Sequence, residues 1–336
     1  MSTSDQHAGE PESPTQLDKP SLLATAKRAG KQFGHDNLTD LAAGLTYYAV
    51  LSIFPGVLVL VAVIGLLGKD TAQKTEEQVT AIAPSGVDSI VTQVFSQAQS
   101  NSGLASVTAI IGVLLALWSA SGYVAGFMRA SNVIYGIGEG RPMWKTLPVR
   151  LGVTVLAVVL LTVGAFIVVT TGPVAERIGD AVGLGSTAVT VWSIVKWPVL
   201  LLLVAVILAV LYWAAPNARQ GGVKWVSPGG LIAVVLWLLA SAVFALYLSF
   251  FANYNKTYGS LAAVIIFLVW LWITNIAILF GAEVNAELDH QKAIEGGLPE
   301  DVQPFAEPRD TRKLDDEETA EVERAQRARD DAGPRR

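Results

Sequence analysis

The sequence predicts an all-α, polytopic integral membrane protein with six transmembrane helices and, beside them, surface-lying amphipathic helices. Three observations carry this expectation. Six apolar runs are each long enough to cross a bilayer, for which about 20 helical residues are needed, and none holds an acidic residue. The chain is 52% hydrophobic and only 16% charged, and no stretch has the even apolar and polar mixture of a large soluble domain. The runs are too uniformly apolar for the alternating strands of a barrel, and in lipid each backbone amide must bond within its own segment, which leaves the helix.

In chain order, residues 1–20 are polar and contain prolines, so they bury too little apolar surface to offset the entropy of ordering and are expected to be disordered. A helix follows in which Leu22, Ala26, Ala29 and Phe33 share one stripe and Lys27, Arg28 and Lys31 lie opposite. That pattern suits a helix resting on anionic lipid, the alternative being a helix packed on the protein. The membrane domain as a whole is expected over 21–290, with spans at 42–67, 104–127, 151–171, 189–213, 229–251 and 260–281. The first run is too long, and lacks the small-residue site, for a cleaved signal peptide. Between the first two spans, Val87, Ile90, Val91, Val94, Phe95 and Ala98 recur at helical spacing after Ser85 to Asp88, a capping-box pattern, and suggest a helix capping the bundle from outside. Ser227-Pro228 reads as a cap and first-turn proline for the fifth span. From 291 to 336 the chain is charge-dense, with a short mixed-charge helix conceivable over 317–329, and a disordered cytoplasmic tail is expected.

Orientation follows from the lysines and arginines. With six spans both termini share a side, and that side collects 19 of these residues against 4 on the other, with Lys196 inside a run and left out. The positive-inside bias therefore puts both termini in the cytoplasm. The formal charge of −5 is set by the tail, which from Glu287 onward holds 15 of the 29 acidic residues.

Polar residues inside the spans are few. Gly44, Tyr48, Ser52 and Pro55 fall along one face of the first span, and Pro55 should bend it by removing a backbone bond and crowding Leu51. The second span carries Ser119, Ser121 and the pair Gly122/Gly126, a spacing suited to close helix approach. Asn275 needs partners for a buried amide, with Thr46, Tyr47, Tyr48 or Ser119 at similar depth. Glu283, where the last span emerges, is either an interface residue or a carboxylate at the inner mouth of a cavity, paired with Arg129, Arg141 or Arg150. Tyr48, Ser52, Pro55, Asn275 and Glu283 thus form the candidate intramembrane polar seam, between span 1 and the span 5–span 6 hairpin. Lys196, beside Trp192 and Trp197, is expected to snorkel outward.

Four stretches carry a family resemblance: Ala43-Gly-Leu-Thr-Tyr-Tyr-Ala-Val-Leu-Ser-Ile-Phe-Pro55, Asn132 to Trp144 with Glu139-Gly-Arg-Pro142, Tyr254-Asn-Lys-Thr-Tyr-Gly-Ser260, and Gly281-Ala-Glu-Val-Asn-Ala-Glu287. In order and spacing the chain resembles the YihY/BrkB family of bacterial inner-membrane proteins, over about residues 20 to 290. The resemblance implies a six-helix membrane fold. Some members carry a historical ribonuclease label, others are associated with envelope integrity, serum resistance or lipid export, and no agreed catalytic residues come with the family.

Chemistry weighs against an enzyme. His7, His35 and His290 are the only histidines and form no metal-ligand cluster in sequence, and no cysteine is present. No catalytic residue, cofactor, metal or nucleic-acid partner is expected. A proton- or ion-coupled pump is disfavoured by the lack of mid-membrane acids, and Gly65-Leu-Leu-Gly-Lys69 has the wrong spacing for a nucleotide loop. Two expectations remain open: envelope maintenance through passage of a lipid or other amphiphile, and a non-transporting scaffold. Membrane lipids are the expected partners, with a homo-oligomer or an envelope protein left open.

Overall fold

The computed structural model describes residues 14–66, 103–169, 186–220, 223–250 and 260–332. After a 3-10 turn at Pro14–Gln16 come α1 (Lys19–His35), α2 (Leu38–Leu66), α3 (Gly103–Ile134), α4 (Met143–Val169), α5 (Ser186–Ala214), α6 (Val223–Phe250), α7 (Ser260–Glu295) and α8 (Asp316–Ala332). Among the described residues there is no strand beyond an isolated bridge between Ala218 and Pro308. The expected all-α class holds. Each of the six apolar runs lies largely in one long helix, α2 to α7, and four of these, α4 to α7, have the described length and apolar composition to cross a membrane.

The six long helices close into a ring in chain order: α2 packs on α3, α3 on α4, α4 on α5, α5 on α6, α6 on α7, and α7 back on α2. The start of α2, residues 135–142 and 215–220, and the end of α7 share one end of the bundle, here the basal end. Away from that end the flanks are apolar and exposed, with Leu115, Trp197, Leu202, Leu239 and Val243 among many such side chains. Exposed apolar surface on this scale is what a bilayer covers. Polar burial is instead concentrated at the basal end, where every residue from 281 to 291 is buried.

Local signals explain the junctions. Asp18 caps α1 by accepting from the Ser21 amide at 2.8 Å. α1 ends at Asp36, and Asn37, with φ of 51°, takes the left-handed turn that lets its carbonyl accept from Asp40 and Leu41 at the start of α2. The sequence reading of Ser227-Pro228 as a helix start is corrected: α6 begins at Val223 and Pro228 lies inside it. That placement costs only one backbone bond near the end of the helix.

One half of the α1 stripe packs on the protein, Ala29 being fully buried and Phe33 meeting Phe280 edge-on at 6.1 Å, while Leu22 and Ala26 stay exposed. A further expectation changes. Where disorder is expected from 291, α7 instead runs to Glu295, and Leu298, Phe305 and Ala306 join the core cluster. The mixed-charge helix forms as α8 and docks through buried Ala325, while Arg329 donates to the Phe305 carbonyl at 2.7 Å. The outer helix expected at 85–98 and residues 1–13 of the segment expected to be disordered lie outside the described residues, and so do the side chains of α2 from Ile53 on, Pro55 among them; residues 14–20 of that segment are instead ordered, as the 3-10 turn and the start of α1.

Candidate functional site

The predicted seam divides into two contacts on opposite sides of α2. On one side, Asn275 of α7 donates through Nδ2 to Thr46 Oγ1 at 3.0 Å and accepts at Oδ1 from the Tyr123 hydroxyl at 2.9 Å. One amide thereby ties α2, α3 and α7 together, and it is 2% exposed. Of the partners expected for it, Thr46 is correct; Tyr123 on α3 was not foreseen. Tyr47 points outward, at 61% exposed.

Tyr48 and Ser52 face α3 and not the α6–α7 hairpin. Ser52 Oγ donates to the Tyr48 carbonyl at 2.7 Å and approaches the Ala120 carbonyl at 3.3 Å. The Tyr48 ring fills the space left by Gly122 and Gly126, where a Cβ on Gly126 would stand 2.9 Å from it, and Arg129 lies over its face at 5.3 Å. The small-residue pair therefore serves close packing. Residues 48 and 52 share a helical face as expected; that face meets a different neighbour.

Glu283 lies two turns beyond Asn275 on α7, about 12 Å along the axis. It is 1% exposed, and its Oε2 has no hydrogen-bond partner. None of the expected arginines reaches it. Arg129 covers Tyr48, Arg150 donates to Ser121 Oγ at 2.6 Å, and Arg141 is bound to Glu139. Glu283 instead faces the Asp36 side chain at the α1–α2 turn, with Glu287 nearby. Burial pushes the Asp36 carboxyl above the usual carboxylate range, with His35 opposing and the negative field of Glu287 adding. Two carboxyls this close do not both ionise readily.

Glu287 completes the α1–α7 contact. Arg28 Nε donates to Glu287 Oε2 at 2.6 Å and its NH2 donates to Gln291 Oε1 at 2.7 Å. His290 approaches the same carboxylate at 3.5 Å and stacks on Phe305 at 4.6 Å.

A larger polar knot closes the basal end, built in part on the Asn132 to Trp144 stretch that carries the family resemblance and in part on residues the sequence did not single out, Asn217 and Asp310 among them. Asn132 Nδ2 donates to Glu139 Oε2 at 3.0 Å, and its Oδ1 accepts from the Asn217 amide at 2.8 Å. Arg141 grips Glu139 with Nε and NH2 and donates to the carbonyls of Ala214 and Ala215, capping the end of α5. Glu139 is only partly buried, and the Arg141 guanidinium outweighs the cost of that burial and holds its carboxyl below the usual range. The bare α-carbon of Gly140 makes room for the Asp310 carbonyl, and Gly140 accepts from Lys313 N at 3.0 Å. Asp310 itself binds Arg312 and Lys145, each at 2.7–2.8 Å, and these charges hold its carboxyl well below the usual range. Tyr135 donates to Asp289 at 3.1 Å and accepts from Gln220 at 2.9 Å.

The Gly281–Glu287 stretch also sets how α6 and α7 meet. A Cβ on Gly229 would collide with the Gly281 carbonyl, and one on Gly281 with the Gly229 carbonyl and the Tyr212 hydroxyl. The two backbones therefore touch, and Asn285 Oδ1 accepts from the Gly229 amide at 2.8 Å. Lys196 lies over Trp197 at 5.4 Å. Among the described residues no group of three or more His, Asp or Glu side chains is placed to hold a metal ion.

Comparison with known proteins agrees with these motifs. The family model described as Virulence factor BrkB matches residues 29–304. A ribonuclease-like protein of Bacillus subtilis, YfkH, is 31% identical over 256 residues, covering 75% of this chain and 90% of that protein. A UPF0761 membrane protein of Rhodospirillum centenum is 31% identical over 287 residues, covering 82% of this chain and 59% of the relative, so the chain spans a little over half of that longer protein. A UPF0761 membrane protein of Aggregatibacter aphrophilus is 27% identical over 265 residues, covering 77% and 89%. No solved structure matches.

Proposed function

From the premise that this membrane protein belongs to the BrkB family, we propose that it is a non-enzymatic, six-span protein of the inner membrane that maintains the envelope by passing a lipid or other amphiphile. Both termini lie in the cytoplasm. The 19 to 4 charge asymmetry supports that orientation, and so does the gathering of α1, the two described connections and the C-terminal segment at one end. The basal end is then the cytoplasmic end.

The observation that carries the reading is Glu283. A carboxylate oxygen that is buried, unpartnered and set against a second carboxyl costs stability, and such groups in membrane proteins are retained where they serve a pathway. Around it, polar groups occupy the basal end and apolar flanks the rest, the division an amphiphile's headgroup and chains would match. The scaffold reading has its own support in Asn275, whose amide is satisfied on both sides and serves as glue between helices.

Purified protein in liposomes, assayed for movement of labelled phospholipid between leaflets, tests passage directly. Glu283→Gln should leave the protein folded and inserted while slowing movement at least tenfold and removing the envelope phenotype. A folded, abundant Glu283→Gln protein with unchanged movement and phenotype would leave the scaffold reading in front.

A further inference from the structure

We propose that the groove between α1 and the α6–α7 pair holds one acyl chain of an anionic phospholipid from the cytoplasmic leaflet. The groove has a volume of about 270 Å³ and is lined by Leu22, Ala26, Ile232, Phe280, Val284 and Leu288, among others. Thr25 is the one polar side chain in its lining, and that hydroxyl already donates to the Ser21 carbonyl at 2.9 Å, so the surface offered is hydrocarbon. A polar ligand finds nothing to bind there.

Position and charge select the occupant. The groove sits where α6 enters and α7 leaves the apolar part of the bundle, beside Pro228 and Phe280, which is the depth of the inner leaflet in the orientation proposed above. Its outer wall, α1, carries Lys19, Lys27, Arg28 and Lys31 and no acidic residue within its 17 residues. Arg28 is engaged by Glu287. On the flank next to the groove, Lys19, Leu23 and Lys27 form one i, i+4 stripe, with Leu23 72% exposed between two exposed lysines. An apolar slot, an exposed leucine and flanking lysines match a chain, the bilayer boundary and an anionic phosphate in turn. Residues 1–13 are too polar to fill the slot from within the chain. The site is separate from the Asn275 and Glu283 contacts, and a protein that passes nothing across the membrane could hold this lipid equally well.

The test is binding, not movement. Full-length protein in nanodiscs containing phosphatidylglycerol with a photoreactive group on one acyl chain is illuminated, and the labelled peptides are mapped. Label concentrated on 22–29, 228–232 and 280–288 is expected, and label spread evenly over exposed flanks such as Leu202 and Leu239 would overturn the proposal. Ala26→Trp should fill the slot and cut that label at least tenfold; undiminished label in a folded Ala26→Trp protein would also overturn it. Lys19→Gln and Lys27→Gln should each reduce the preference for phosphatidylglycerol over phosphatidylcholine about fivefold while leaving chain contacts in place. Equal preference in all variants would remove the headgroup half of the assignment. If Ala26→Trp fails to fold, the map on the unaltered protein decides.

Discussion

Asn275 and Asp36 show the two things a buried polar side chain can do. Asn275→Leu strands the Tyr123 hydroxyl, which keeps no other described partner, while Thr46 retains its bond to the Ala42 carbonyl at 2.8 Å. The expected cost is about 1–2 kcal/mol, read from unfolding in detergent. On a Tyr123→Phe background the same change should cost less, and strict additivity would refute the coupling. Asp36 works in the opposite sense. Its folded pKa is raised, so its contribution to stability is greatest below the ordinary value of 3.8 and is lost as pH rises through the folded value. Asp36→Asn should therefore raise the melting temperature by a few degrees at neutral pH and have little effect near pH 4. The contact with His35 that is lost is an exposed one, with the imidazole 76% exposed, and contributes little. A lower melting temperature for Asp36→Asn at neutral pH would show that the pair holds the turn together instead.

At the scale of the element, hydrophobic length was enough to place all six long helices, because a run that must satisfy its amides internally has one solution. The contacts between them were less legible. Periodicity put Tyr48 and Ser52 on one face but could not say that α3, not the α6–α7 hairpin, lies opposite; that depends on how six helices close into a ring. Likewise Ser227-Pro228 resembles a helix start because proline suits a first turn, yet α6 already begins at Val223, through Lys224, Trp225 and Val226. Glycine is the readable mark of close approach, and it yields a paired prediction. Gly281→Val drives a branched side chain into the Gly229 carbonyl and the Tyr212 hydroxyl, which are backbone and rigid ring that cannot yield. A loss of about 3 kcal/mol or more is expected, seen as a collapse in the yield of monodisperse protein. At Gly152, inside α4, nothing lies within 4 Å of the point where a Cβ would stand, so Gly152→Ala should be neutral or stabilise by up to about 1 kcal/mol. Equal outcomes at the two positions would contradict the backbone contact.

For the whole molecule, the least legible part was the C-terminal segment. Its composition resembles a disordered tail, and composition sees only what a segment can bury by itself. Order comes instead from distant partners: Asn217 bonds the Asp310 carbonyl at 2.9 Å, Lys145 and Arg312 hold its carboxylate, Arg309 donates to the Trp213 and Ala218 carbonyls, and Tyr135 meets Phe305 at 5.8 Å. The motif Glu139-Gly-Arg-Pro142 is thus the floor on which the segment rests. Its charges also fix how docking responds to pH. Glu139 and Asp310 both have depressed folded pKa values, so their stabilisation is complete above the ordinary values of 4.5 and 3.8 and is lost as pH falls through the folded values. Limited proteolysis should accordingly leave residues 297–332 protected at neutral pH and cleave them progressively faster below about pH 4, while the long helices stay intact. Asp310→Asn should expose the segment already at neutral pH, because Lys145 and Arg312 lose their charged partner, and should flatten much of the acid response. Protection of the segment in Asp310→Asn equal to that of the unaltered protein at every pH would show that docking rests on Phe305 and the backbone contacts, with the carboxylates as bystanders.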